Sequence, residues 1–392
     1  MVLKTSLAWL QLVRNKFYSL VAIAGIAFIV ILIFMQLGFL DALYSSATQV
    51  HQSLRGDLFL VSSQYKSLTT SQSFSRTRLN QVLGFDDVKS VSPMNLAFAK
   101  FKNPMNGQKY LIYVISIDPE NSIINIPEVR QNLDQIKIPG VVIFDRNSRS
   151  EFGDIADKFT QGNHQQIIEI SPVNSLIGYR VKIGGLFSLG SSFGIDGNII
   201  VSDSTFFRIF SNSFSTEMID MGTITLKLGV SPQKVLQELQ STLPNDVMIF
   251  TRQGMIDFER QYWGNKTPIG FILNLMLSLS SIVGVVIVYQ ILYSNISNQL
   301  IAYITLKAIG YTSNYLFNIV LQQALILSFL GYTLGFSISL CLYDFAMKVT
   351  KLPVVMTVNN AFIVLLSTIF MCMTAGVLAM NQLRSIEPAD VF

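Results

Sequence analysis

The sequence predicts an α-helical membrane protein with four transmembrane helices and a large mixed α/β domain inserted between the first helix and the second. Three observations carry this. Half of the 392 residues are hydrophobic and only 13 % are charged, roughly half the charge of an average soluble domain, and the mean hydropathy is +0.45. Four segments, Tyr18–Leu40, Ile269–Leu292, Leu316–Tyr343 and Ala361–Met380, reach the ~20 apolar residues that a spanning helix needs. Between the first two lies a long stretch in which strand-like and helix-like patterns alternate, punctuated by turn residues.

Taken in chain order, residues 1–17 carry Leu3, Leu7, Leu10, Val13 and Phe17 at steps of three and four, with Lys4, Arg14 and Lys16 among them. That spacing predicts an amphipathic helix whose basic residues suit lipid headgroups. Residues 18–40 form the first span. The apolar run is too long for a signal peptide and no small-x-small cleavage site follows, so it reads as an uncleaved anchor.

Residues 41–267 form the α/β domain. "GDLFLVSS", "VKSVSPMNLAFAKF", "QKYLIYVISID", "GTITLKLG" and "DVMIFT" are strand patterns, and "RTRLNQVLGF" suits a helix. "SPQKVLQELQSTLP" is a helix with Ser231 at its N-cap, Pro232 at the first position and Pro244 past its end. The Gly-, Ser- and Asn-rich middle, about 121–221, is expected to be a strand-rich insertion. Arg252–Lys266 should extend the second span outward as a stalk with Trp263 near the membrane interface, unless Gly264 and Pro268 break it.

The second span is 268–292. A short segment, 293–315, follows, with a helical spacing of apolar residues and the single charge Lys307. The third span is 316–343, the outer loop 344–360, the fourth span 361–380 and the tail 381–392. Lys4, Arg14, Lys16, Lys307 and Arg384 fall on one side of the membrane against Lys348 and Lys351 on the other, which puts both termini and 293–315 in the cytoplasm. Gln36, Asn274, Gln290, Gln322 and Gln323 are expected to bond between helices, and Gly331 and Gly335 to let two helices approach closely. Asp344 reads as a hydrated group at the outer end of the third span.

Little chemistry is legible. There is no phosphate-binding G-x-x-x-x-G-K-[ST], no nucleophile elbow and no H-E-x-x-H. His51 and His164 have no paired-ligand spacing and read as surface side chains, while Cys341 and Cys372 sit in apolar runs. No basic run with interleaved aromatics marks a nucleic-acid partner. The chain reads as no enzyme.

"LAWLQLVRNKFYSLVAIAGIAF", "LIFMQLGF", "LFSLGSSFGIDGNIIVSD", "FTRQGMIDFERQYW", "TPIGFI", "VGVVIVYQILYSNIS", "YITLKAIGY" and "EPADVF" together resemble the FtsX/MacB-like superfamily of ABC-transporter permeases, and within it the DevC-type exporter permeases. The resemblance implies a MacB-like periplasmic domain and an inner-membrane homodimer. It implies no cofactor in this chain, with ATP and Mg bound by a separate DevA-like ABC ATPase. It implies a DevB-like periplasmic membrane-fusion protein, a TolC-like outer-membrane channel, and export of a lipid or glycolipid-like substrate by mechanotransmission. The ATPase-coupling residues would be Leu306, Lys307, Ala308, Ile309, Gly310 and Tyr311, in a cytoplasmic helix that rests in a groove of the ATPase. Tyr293–Tyr311 departs from the family in having no acidic residue. The alternative is an FtsX-like signalling permease that controls an extracellular hydrolase.

Overall fold

The computed structural model of the chain describes residues 7–14, 16–121, 123–298 and 300–384. They divide into two compact units. One holds the described residues of Met1–Asp41, Phe271–Met347 and Val354–Phe392; the other, called the outer unit after the place expected of it, is Ala42–Gly270 with Lys348–Pro353.

Helix α1 (Leu7–Arg14) buries Ala8 and Leu12 and leaves Trp9, Leu10 and Val13 exposed. Leu10, Val13 and Phe17 of the expected stripe are thus exposed, as suits residues that meet lipid; Leu3 lies outside the described residues. Ser19 Oγ donates to the Leu12 carbonyl (2.8 Å), tying α1 to α2 (Lys16–Ser53). Helix α2 runs on past Leu40, where the span was expected to end. No Gly or Pro interrupts 41–53, and Ala42, Leu43, Ala47 and Val50 are buried, so nothing stops the helix.

The outer unit begins with β1 (Leu58–Ser62), β2 (Phe74–Ser75), α3 (Arg76–Leu83) and β3 (Val88–Met94). Next come β4 (Leu96–Lys102), β5 (Lys109–Ile117), α4 (Pro127–Gln131), α5 (Leu133–Ile136), β6 (Val141–Asp145) and α6 (Ile155–Thr160). Then follow β7 (Ile167–Pro172), β8 (Tyr179–Phe187), β9 (Asn198–Ser202), α7 (Asp203–Ile209) and β10 (Met218–Ile219). The unit closes with β11 (Met221–Leu226), α8 (Pro232–Thr242), β12 (Val247–Thr251) and α9 (Arg252–Gln261).

Two sheets organise these elements. An antiparallel sheet has the order β12-β1-β11-β3, and a closed barrel the order β4-β5-β9-β6-β8-β7. The barrel mixes parallel pairs (β5 with β9, β6 with β8) with antiparallel ones. It starts at Leu96, upstream of the expected 121. At that corner the Leu96 N–H donates to buried Asp220 (2.7 Å) and the Asn95 backbone carbonyl accepts from the Ser116 N–H (2.9 Å), so these two backbone groups are satisfied where the chain leaves one sheet for the other. The barrel core holds Phe101, Phe144, Phe152 and Phe206, all buried. On one face of the four-stranded sheet, α8 packs Val235, Leu239 and Leu243 with Ile249 and Leu60. Each such side chain contributes about 1.5–3 kcal/mol.

The first and last strands of the outer unit are hydrogen-bonded neighbours, from Leu58 opposite Thr251 to Ser62 opposite Val247. The chain therefore enters and leaves the four-stranded sheet at the same end.

The other unit adds α10 (Pro268–Asn298), α11 (Leu300–Ala308), α12 (Ser313–Thr350) and α13 (Val358–Arg384). Lys16–Ser53, Pro268–Asn298, Ser313–Thr350 and Val358–Met380 are long and apolar enough to cross a membrane. Gly331 and Gly335 of α12 lie against Ile26 and Val30 of α2: a Cβ on Gly331 would stand 2.4 Å from Ile26 Cγ2, and one on Gly335 2.7 Å from Val30 Cγ1. The small pair thus seats a helix of the same chain. Gln36 Nε2 donates to Ser280 Oγ, Gln323 Nε2 to Gln11 Oε1 and Asn360 Nδ2 to Asp41 Oδ2, each at 2.6 Å. Gln290, Gln322, Cys341 and Asp344 are exposed and Cys372 is buried.

Candidate functional site

Among the described residues no group of three or more His, Cys, Asp or Glu could hold a metal ion. The candidate features are a helix end in one unit and a buried polar seam in the other.

The helix end is α11. Its C-terminus closes in a double hydrogen bond: the Gly310 N–H donates to the Lys307 carbonyl (3.1 Å) and the Tyr311 N–H to the Leu306 carbonyl (3.1 Å). This Schellman closure needs a left-handed residue at its turn, and Gly310 has φ +107°. The sequence-predicted residues fall on both sides of the turn. Leu306 is half-buried, and Lys307, Ile309, Gly310 and Tyr311 are exposed; Ala308 is the last residue of the helix. Ile309 is 71 % exposed and Ile301 73 %, whereas Ile304 is buried. Ile301 escaped the sequence reading although it stands two turns before Ile309. Tyr311 stacks on Tyr315 (4.8 Å between centroids), which starts the next helix as a half-exposed aromatic pair. The segment therefore presents aliphatic and aromatic surface with Lys307 as its single charge.

The polar seam lies inside the outer unit. Glu259 of α9 is buried and accepts from Trp263 Nε1 (3.1 Å), the Leu68 N–H (3.1 Å) and Tyr65 Oη (3.0 Å). Tyr113 Oη donates to the Leu68 carbonyl (2.6 Å), so Leu68 is held from both sides. Burial raises Glu259 from the usual carboxylate range to about 7, against the opposing pull of the three donors. Tyr65 in turn meets His51 Nε2 at 3.3 Å. His51 is buried, contrary to the surface position expected of it; His164 is exposed. Trp263 is buried too. Its indole needs an acceptor, which Glu259 supplies, and a gap, which Gly194 leaves by having no side chain: a Cβ there would stand 3.0 Å from the ring. Beyond α9 the helix widens into a π turn at Tyr262–Lys266 and stops at Thr267, so α9 and α10 are separate helices.

Gly194 sits in a loop anchored by Asp145, whose carboxylate accepts from the Leu189 N–H (3.1 Å), the Gly190 N–H (2.8 Å), Asn198 Nδ2 (2.8 Å) and the Asn147 N–H (3.0 Å). Burial raises Asp145 and these four donors pull it down. Ser191 of the same loop donates to the Lys351 carbonyl (3.0 Å). The stretches "LFSLGSSFGIDGNIIVSD" and "FTRQGMIDFERQYW" thus meet at one seam. Its buried acids, Glu259 and Asp145, are committed to N–H and O–H donors, an arrangement that fixes backbone.

Residues 274–388 match the family described as FtsX-like permease C-terminal. The match takes in α11, α12, α13 and most of α10, and does not reach Ala42–Gly270. With four helices long and apolar enough to cross a membrane and this match over its C-terminal part, the chain is a membrane protein. Among the solved structures similar to it are a periplasmic region and an extracellular domain. The periplasmic region of MacB from Actinobacillus actinomycetemcomitans has 12 % identity and a TM-score of 0.36, over 55 % of this chain and 96 % of that one. The extracellular domain of the noncanonic ABC-type transporter YknZ from Gram-positive bacteria has 13 % identity and a TM-score of 0.30, over 50 % and 99 %. No curated protein matches the chain.

Proposed function

We propose that this chain is the permease subunit of an ABC exporter of the DevC type, working as a homodimer in the inner membrane with both termini in the cytoplasm. The observation that carries the reading is the FtsX-like permease match at 274–388. A separate DevA-like ATPase would bind ATP and Mg and receive the end of α11. A helix end presenting Ile301, with Ile309 and Tyr311 just past its last residue, suits an apolar cleft. ATP-driven closure would pull on α11 and α12; α12 is seated on α2 through Gly331 and Gly335, so the pull is shared with α2. Helix α2 is unbroken from Lys16 to Ser53 and carries displacement along its length. In the periplasm the outer unit would meet a DevB-like membrane-fusion protein, and a TolC-like channel would complete the path for a lipid or glycolipid-like substrate.

The test is affinity purification of the full chain in mild detergent, with identification of its partners and native mass spectrometry of the complex. We expect an ABC ATPase, an adaptor, a channel and two copies of this chain. Recovery of a cell-wall hydrolase in place of adaptor and channel would reassign it to FtsX-like signalling. Tight ATP binding by the purified chain alone would refute both.

A further inference from the structure

The four-stranded sheet has two open edges, and the sequence treats them differently. At one edge β3 carries Lys89 and Pro93, residues that discourage further strand pairing. At the other edge β12 reads Val-Met-Ile-Phe-Thr, without proline, charge or bulge, and four of its five residues are only half-buried. The Ser63 N–H donates to the Asp246 carbonyl (2.9 Å), which fixes the alternation: Met248 and Phe250 bond toward β1, while Val247 and Ile249 turn their N–H and C=O groups away from it. Among the described residues no hydrogen bond takes up those outward groups. Beside them a groove of ≈ 290 Å³ lies open between β12 and Leu239, Gln240, Leu243 and Pro244 of the α8 end.

We propose that β12 pairs with β12 of a second copy of this chain, antiparallel and centred on Ile249, joining the two four-stranded sheets into one. The strand is self-complementary under that two-fold. Ile249 faces itself and Val247 faces Thr251, so the outward groups of Ile249 meet their like and those of Val247 meet the groups of Thr251, which the same alternation turns outward. Asp246 just before the strand comes opposite Arg252 just after it, twice by symmetry. Asp246 has room for this second cation: its bridge to Arg78 (2.9 Å) leaves its side chain 47 % exposed. Arg252 is exposed and gives only one of its nitrogens, to the Gly56 carbonyl (3.0 Å). Opposite charges across a strand pair are favourable, and a two-fold contact repeats the gain. A foreign strand would satisfy the backbone equally well, but only a second copy is bound to bring Asp246 and Arg252 in this order. The inference takes its setting from the two-copy reading above and adds where the copies touch.

The experiment is residue-resolved hydrogen exchange on the full-length chain in detergent, with native mass spectrometry of the same sample. We expect the Val247 and Ile249 amides to exchange as slowly as their inward neighbours Met248 and Phe250. The exposed substitution Arg252→Asp should free the outward amides and leave the inward ones slow, so that the inward set reports an intact fold. Freely exchanging outward amides in the unmodified chain overturn the contact. So does slow exchange that Arg252→Asp leaves unchanged, or that arises only when a different protein is added. Two copies by mass with free outward amides sink the β12 contact and spare the two-copy reading; a single copy sinks both.

Discussion

Replacing Glu259 with Gln should remove a pH dependence from the stability of the outer unit. In the fold the carboxyl titrates at about 7 against 4.5 for an unperturbed group. A raised acid binds its proton more tightly folded than unfolded. Its contribution is therefore complete below the unfolded value and is lost as pH rises through the folded one. Over the window from pH 6 to pH 8 the loss comes to roughly 1 kcal/mol, a factor of about five to ten in the unfolding constant. The substituted amide would still accept from Trp263 and Leu68 through its oxygen, but it carries no charge to titrate. The assay is chemical unfolding followed by Trp263 fluorescence, in a Trp9→Phe background that leaves one reporter. The native side chain should give a midpoint that falls between pH 6 and 8, and Glu259→Gln a flatter one, since other titrating groups are common to both and cancel in the difference. Parallel curves for the two proteins, or a native chain that gains stability toward pH 8, would show that Glu259 does not titrate as its burial requires.

Three further outcomes are expected. Gly331→Leu should cost about 1–3 kcal/mol by driving α12 off Ile26, read as a lower melting midpoint in detergent; an unchanged midpoint would mean the helices do not touch there. Asp145→Ala removes the acceptor of four donors, two of them in buried bonds, and should cost about 2–3 kcal/mol or more, with faster proteolytic cutting between Leu189 and Ile195 as the readout. Ile309→Asp should abolish ATPase pull-down at normal expression while Lys307→Gln leaves most of it, because an apolar contact is worth about 1.5–3 kcal/mol and an exposed ion pair ~0–1. Both side chains are exposed, so neither change threatens the fold, whereas half-buried Leu306 would mix binding with packing; loss of binding with Lys307→Gln alone would reverse the assignment.

The candidate spans were legible because length and apolarity are local properties. Where a helix ends is not: a hydropathy window stops at Leu40 because polar residues follow, yet backbone and buried alanines carry α2 to Ser53. The strands could be read, but their partners could not. "VKSVSPMNLAFAKF" looks like one strand and is two, in different sheets, divided at Asn95 by a carboxylate that lies more than a hundred residues away in the chain. His51 was misplaced for the same reason: Tyr65, which it meets in the interior, comes from another segment of the chain. The packing of Trp263 on Gly194 and Glu259 was likewise out of reach of a local pattern. The turn at Gly310 was foreseeable, since glycine after a helical run is a local signal.

The antiparallel pairing of β1 with β12 also decides how the outer unit bears load. Leu58 and Thr251 face each other at the end where the chain enters and leaves. Forces that drag both ends the same way leave the ladder's hydrogen bonds unstrained. Forces that part them act first on the hydrogen-bonded rung next to that end, Phe59–Phe250, and peel the strands apart one rung at a time, a mode far weaker than shearing all the rungs together. The unit is thus stiff toward common displacement and compliant toward separation, so it can be towed as a whole by paired movement of its two chain ends, while a tug on one alone is spent at the first rung.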